Sequence, residues 1–168
     1  MSALLRKYAE SRDLPEGHVG RRQAEEALNR EYQRCSEIER FWRKRMQPPC
    51  DYFKDSEVAL QFVNSICVGL GERPVKAVNF KNPLLPDASA WYNRTDKTIN
   101  TSHTWIHWTT LVHELTHHFK ECFAHGHGEV YCTTLNTVYS LVYEMWTGKQ
   151  SNPDWETKAM QTPLKHLR

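Results

Sequence analysis

No apolar run in the chain approaches the roughly 18 residues that a bilayer-spanning helix needs. The N-terminus also lacks the charged-then-apolar layout of a secretory signal. There is no Cys-x-x-Cys pair, and the five cysteines are odd in number and without paired spacing. This pattern predicts free thiols in a reducing compartment, hence a cytoplasmic address with no membrane partner. Charge of one sign is scarce too. A net charge of +2 is too small to imply a nucleic-acid partner through the field of the whole molecule.

What remains is 168 residues with 39% hydrophobic content and a mean hydropathy of −0.71, a polar chain long enough to bury one core. The expected layout is a loose arm over residues 1–20, one domain over 21–148 and a short irregular tail over 149–168. In that tail Trp155 and Met160 are expected to hold against the body. Between Arg21 and Met46 the apolar positions Ala24, Leu28, Tyr32, Cys35, Ile38, Trp42 and Met46 run at helical spacing, and Pro48-Pro49 stops them. Arg40 to Arg45 at its end mixes cations with Phe41 and Trp42. Contact with phosphates is one reading of that cluster, and a solvated helix end favoured by the helix dipole is the other.

Asp55 is placed to cap a second helix, with the stripe Val58/Ala59, Phe62/Val63, Ile66/Cys67 and Leu70 ending at Gly69 and Gly71. Strands are expected over Pro74–Phe80, Ala88–Asn93 and Thr98–Asn100, with Pro83 and Pro86 in the first connection and a tight turn at 93–97. Such a hairpin, delivered just before the next helix, offers an edge to an extended peptide, where Trp91 and Tyr92 are the side chains of interest. An ordinary edge strand is the alternative.

The chemistry lies in His113-Glu114-Leu115-Thr116-His117. A composition like this one yields the His-Glu-x-x-His pattern by chance only about 0.04 times per chain. Residues i and i+4 of a helix share a face, so the two imidazoles can reach one zinc ion, with Glu114 beside it as a base. Trp105, Trp108, Val112, Leu115, Phe119 and Cys122 form an apolar stripe on the opposite side, which predicts a helix from Thr104 onward. Zinc requires a third ligand. The extended form of the motif would put it at Phe123, which cannot bind metal. His118, rotated about 100° from His117, is a poor partner, which leaves His125 and His127 in a glycine-rich break. Glu144 on the following helix lies roughly 25 Å beyond His127 at 1.5 Å per residue and ranks below both.

Leu111 to His118, followed by His127-Gly128-Glu129-Val130-Tyr131, resembles a family of small metallohydrolases of actinobacteria and their phages. More distantly, it is similar to SprT-like zinc proteases. The resemblance extends over residues 30–147, with Glu31-Tyr32-Gln33-Arg34 as a weaker match. It implies His113, His117 and His127 as zinc ligands and Glu114 as catalytic base. Two departures are visible: Tyr131 stands where Phe is usual, and the doubled His-Gly leaves His125 as a rival ligand. His127 is preferred because only it has an aromatic residue four positions on.

Val130/Tyr131, Leu135, Val138, Leu141/Val142 and Met145 predict a further helix ending at Thr147-Gly148. Its Tyr131 and Tyr139 are candidates to donate to an oxyanion. His103 and His107 are read as caps or bridges. The combined expectation is an α+β, zincin-like domain: two zinc-bearing helices, a small mostly antiparallel sheet and an extra N-terminal helix. It would act as a zinc metallopeptidase on a peptide or protein. The alternatives are a zinc-stabilised binding or regulatory module without turnover, and a protease recruited to DNA.

Overall fold

The computed structural model describes residues 18–82, 90–119 and 127–164. Residues 1–17 of the expected arm, the connection carrying Pro83 and Pro86, and Cys122, Phe123 and His125 lie outside the described residues, and Val19 and Gly20, assigned to that arm, already belong to a helix. In chain order the elements are α1 (Val19–Arg43), β1 (Tyr52–Phe53), α2 (Ser56–Gly69), β2 (Ala77–Asn79), β3 (Ala90–Asn93), β4 (Thr98–Thr101) and β5 (Ile106–His107). Then come α3 (Trp108–Thr116), α4 (Glu129–Thr147) and α5 (Pro153–Gln161). The class is α+β.

Each helix boundary has a local cause. The Asp55 carboxylate accepts from the Glu57 and Val58 backbone N–H groups and opens α2. Gly71, at φ 68, turns the chain out of it, and Gly148, at φ 65, closes α4 in the left-handed region that glycine enters without penalty. An α3 beginning at Thr104 does not form: β5 pairs antiparallel with β1, Trp108 N–H donates to Asp51 C=O, and His107 caps the helix by accepting from Thr109 N–H at 3.2 Å. Trp105 is therefore left outside the core, its ring stacked on His103 at 4.8 Å.

The three-stranded sheet has the order β2-β4-β3. β3 and β4 form the expected hairpin, with Tyr92 opposite Ile99, whereas β2 runs parallel to β4, with Val78 opposite Ile99. The sheet is thus mixed, and β3 lies at an edge. Alternate residues of a strand face opposite ways. Tyr92 is turned toward the end of α3, while Trp91 lines a recess on the other side with Asn79, Asn93 and Asn100.

Ile38, Trp42, Val63, Ile66, Ile99, Leu111, Val112, Leu115, Leu135, Val138 and Val142 build the core. Val58, Val130 and Met145, read as parts of apolar stripes, are exposed. Within the expected irregular tail, residues 153–161 instead form a helix: α5 is capped by Asn152, starts on Pro153 and buries Ala159 completely. It is joined to the body by a buried chain of polar bonds. Trp42 Nε1–H donates to Asn136 Oδ1 at 2.6 Å, and Asn136 Nδ2–H donates to Glu156 C=O at 2.7 Å.

At the end of α1, Arg40 pairs with Glu37 at 2.7 Å and Arg43 with Glu39 at 3.6 Å, and the Arg45 guanidinium lies 3.5 Å from the Phe41 ring centroid. Three cations of the basic cluster are thus engaged locally. No helix among the described residues is long and apolar enough to cross a membrane.

Candidate metal centre

The functional side chains meet where the end of α3 crosses the start of α4. His113 lies in the last turn of α3 and His117 is its C-cap, still in right-handed helical conformation, so the one-turn spacing is kept. Behind them Leu111, Val112 and Leu115 are fully buried and fix the helix. After the undescribed residues the chain returns at His127, immediately before α4, whose N-cap is Gly128.

The three imidazoles converge. His113 and His127 bring their Nε2 atoms to 2.9 Å, and one ring nitrogen from each of His113, His117 and His127 lies within 4.8 Å of the other two. Ring centroids are 5.4 Å apart for His113 and His117, 4.8 Å for His113 and His127, and 5.0 Å for His117 and His127. Among the described residues this is the one grouping of three or more His, Cys, Asp or Glu able to hold a metal ion.

The electrostatics favour neutral rings. Burial, then the neighbouring His127 and His117, push the His113 imidazole down to about 3, and burial pushes His127 down to about 4. A neutral imidazole with an unprotonated nitrogen is the form that ligates metal. The set of three imidazole nitrogens, two of them one helical turn apart, fits a divalent metal that takes imidazole, zinc among them.

Glu114 points toward the sheet edge. Burial pushes its carboxyl up to about 8, opposed by a hydrogen bond from the Tyr92 backbone N–H. A proton-transfer group is best placed with a pKa near the working pH. The edge strand thus touches the candidate base through its main chain, a contact invisible in a side-chain pattern.

The remaining candidates separate clearly. The Tyr131 ring lies 5.4, 4.5 and 4.7 Å from the His113, His117 and His127 rings, and its hydroxyl donates to His113 C=O at 2.8 Å. Tyr139, two helical turns further along α4, is fully buried against Trp108, and its hydroxyl has no hydrogen-bond partner among the described residues. Eight residues at 1.5 Å place it about 12 Å along the helix from Tyr131. Trp91 lines a recess on the opposite face of the sheet, whereas Tyr92 contacts His118, the residue after His117. Glu144 accepts from Ser151 N–H and Oγ–H at the corner into α5.

Three supports of the site were given no role in the sequence. Glu31 on α1 accepts from His127 N–H at 3.2 Å, and a Cβ at position 128 would come within 3.2 Å of its Oε1, so glycine suits that corner. Tyr32, half exposed although it falls in the apolar stripe of α1, lies 4.4 Å from the His127 ring. Cys132 Sγ–H donates to His127 C=O at 3.2 Å and sits 3.6 Å from Cys35 Sγ. The Glu31-Tyr32 pair was visible only as a weak match in the resemblance. What gives it meaning is the packing of α1 against α4, a long-range contact. Comparison of the chain with models of protein families, with curated proteins and with solved structures finds no match.

Proposed function

We propose that the protein is a zinc-dependent hydrolase with a zincin-like core, and that peptide bonds are its substrate. The observation that carries this reading is the convergence of His113, His117 and His127, with Glu114 on the same helical turn as the first two. The resemblance to small metallohydrolases and, more distantly, to SprT-like proteases rests on the same residues and names the same ligands. Peptide hydrolysis is preferred over other hydrolyses by analogy with what this constellation serves elsewhere.

When bound, zinc supplies a Lewis acid that polarises a carbonyl and lowers the pKa of a water to about 7. The chain does the rest. His113, His117 and His127 would hold the ion through three imidazole nitrogens, a ligand number that leaves a position for substrate. Glu114 takes a proton from the attacking water and returns it to the leaving amine, while the Tyr92 N–H holds the carboxylate at the sheet edge. The Tyr131 hydroxyl, bonded to His113 C=O, would brace the first ligand, and the Tyr131 ring packs against all three imidazoles.

Incubation of zinc-loaded and chelator-treated protein with an unfolded protein mixture tests the reading. New N-termini formed by the loaded protein alone support it. A fully loaded protein that forms none leaves a zinc-stabilised binding module as the better description.

A further inference from the structure

Beside the proposed catalytic centre, the α2–β2 connection, the β3–β4 turn and the end of α3 enclose a cavity of about 570 Å³. Glu72, Arg73, Tyr92, Arg94, Lys97 and His118 line it, three cations against one acid. Two of these residues tie the cavity to the chemistry. His118 directly follows the ligand His117, and Tyr92 gives its backbone N–H to Glu114 while its hydroxyl lies 2.7 Å from His118 Nδ1.

The cations are held on fixed backbone. Arg73 C=O lies 2.6 Å from His118 Nε2, and Lys97, at φ 58, has its carbonyl bonded to Lys76 N–H at 2.9 Å. The acid of the turn, Asp96, is occupied by Asn93, whose Nδ2–H donates to it at 2.8 Å. Its charge is therefore turned toward Asn93.

The register of the edge strand gives the cavity a position relative to the reacting bond. β3 touches Glu114 at Tyr92, and at about 3.4 Å per residue Arg94 lies about 7 Å further along the chain. A peptide laid along this edge would carry a side chain about two residues from the scissile bond over Arg73, Arg94 and Lys97. Resting on the metallopeptidase reading, we infer that this cavity is a substrate subsite selecting an aspartate or glutamate side chain.

The test uses the full, zinc-loaded chain and a degenerate peptide library, with cleavage sites read by mass spectrometry. Asp and Glu are expected to be enriched about tenfold at one position within three residues of the cut. Arg73→Glu/Lys97→Glu should invert that preference toward Lys and Arg. Lys149→Glu/Lys158→Glu, which changes net charge equally but lies on other elements, should not. Cleavage with no acidic preference, or a preference indifferent to Arg73→Glu/Lys97→Glu, overturns the subsite and leaves the peptidase reading standing.

A second arm does not need turnover. Fluorescence anisotropy with zinc-loaded Glu114→Gln protein compares a labelled glutamate-rich peptide with a lysine-rich one. Tighter binding of the acidic peptide by about tenfold, lost in Arg73→Glu/Lys97→Glu, supports the subsite even if no library peptide is cut. Equal binding of the two peptides overturns it.

Discussion

His117 and His118 are neighbours in the chain, and the two sides of the α3 terminus treat them in opposite ways. Both nitrogens of His118 are committed, Nδ1 to the Tyr92 hydroxyl at 2.7 Å and Nε2 to Arg73 C=O at 2.6 Å. A carbonyl can only accept, so Nε2–H is the donor to Arg73, and the ring serves as a strut between α3 and its neighbours. On the other side, about 100° around the helix, His117 is brought against the imidazoles of His113 and His127. A buried polar group is normally paired with a group of complementary kind. Of the three like rings drawn together, His113 and His127 can pair with each other when one donates its N–H, whereas a divalent cation would satisfy all three at once. The difference teaches that the capacity to hold a metal here is a property of the convergence, not of the residue type.

Breaking the chemistry while leaving the convergence intact gives the largest expected effect. Glu114→Gln should retain metal and lose about 10²–10⁴-fold in hydrolysis, the range of a general acid–base contribution. Turnover within a few-fold of the parent would show that another group moves the proton.

The strut side should answer in stability instead. His118→Ala leaves the Tyr92 hydroxyl and the Arg73 carbonyl without their partner, at a cost of about 1–3 kcal/mol. Chemical denaturation should show this loss, with metal stoichiometry unchanged. Loss of metal together with the strut would mean that the two sides are not independent.

Proton linkage sharpens the contrast in the metal-free protein. The folded-state values of His113 and His127 are lowered from the ordinary 6.5 to about 3 and about 4. The unfolded chain therefore binds more protons below about pH 6.5, and stability, full above that pH, is lost as acid is added. Glu114, raised to about 8, has the opposite sign: its contribution is complete below about 4.5 and lost as pH rises through 8. Metal-free Glu114→Gln protein removes that opposing term. Between pH 7 and 5 it should lose roughly 2 kcal/mol through His113 and a similar amount through His127, a slope that the further change His113→Ala halves. A pH-independent stability in both variants would contradict the buried, neutral state of the rings.

The smallest effect is expected at Glu31, which touches the proposed third ligand, His127, only through its backbone N–H. Glu31→Gln should weaken metal affinity about tenfold, as loss of a ligand's support does, with folding preserved.

Much of this was legible in the chain because the relevant physics is local. Two imidazoles one helical turn apart, the caps Asp55 and Gly148, and the stripes of α1, α2 and α4 all follow from helical periodicity. β1 and β5 were not readable, since two residues have no period. The parallel pairing of β2 on β4 is set by a connection that returns past β3, which strand composition does not encode. In α5 the signal was present, Asn152 before Pro153 with Asp154 and Glu156 in the first turn, but few apolar residues followed it. Tyr32 is the instructive case: its periodicity places it in the stripe of α1, yet it is half exposed and its ring lies over His127.

Metal content of the purified chain and its variants tests the central claim most directly. The account predicts one zinc per chain, lost in His113→Ala, His117→Ala and His127→Ala but kept in Glu114→Gln, His118→Ala and His125→Ala. Zinc at a hundred times its dissociation constant should add about 2.7 kcal/mol and raise the unfolding midpoint by about 5–10 °C. A metal-free chain whose unfolding zinc does not move, or one that keeps its metal in His127→Ala and loses it in His125→Ala, would contradict the account.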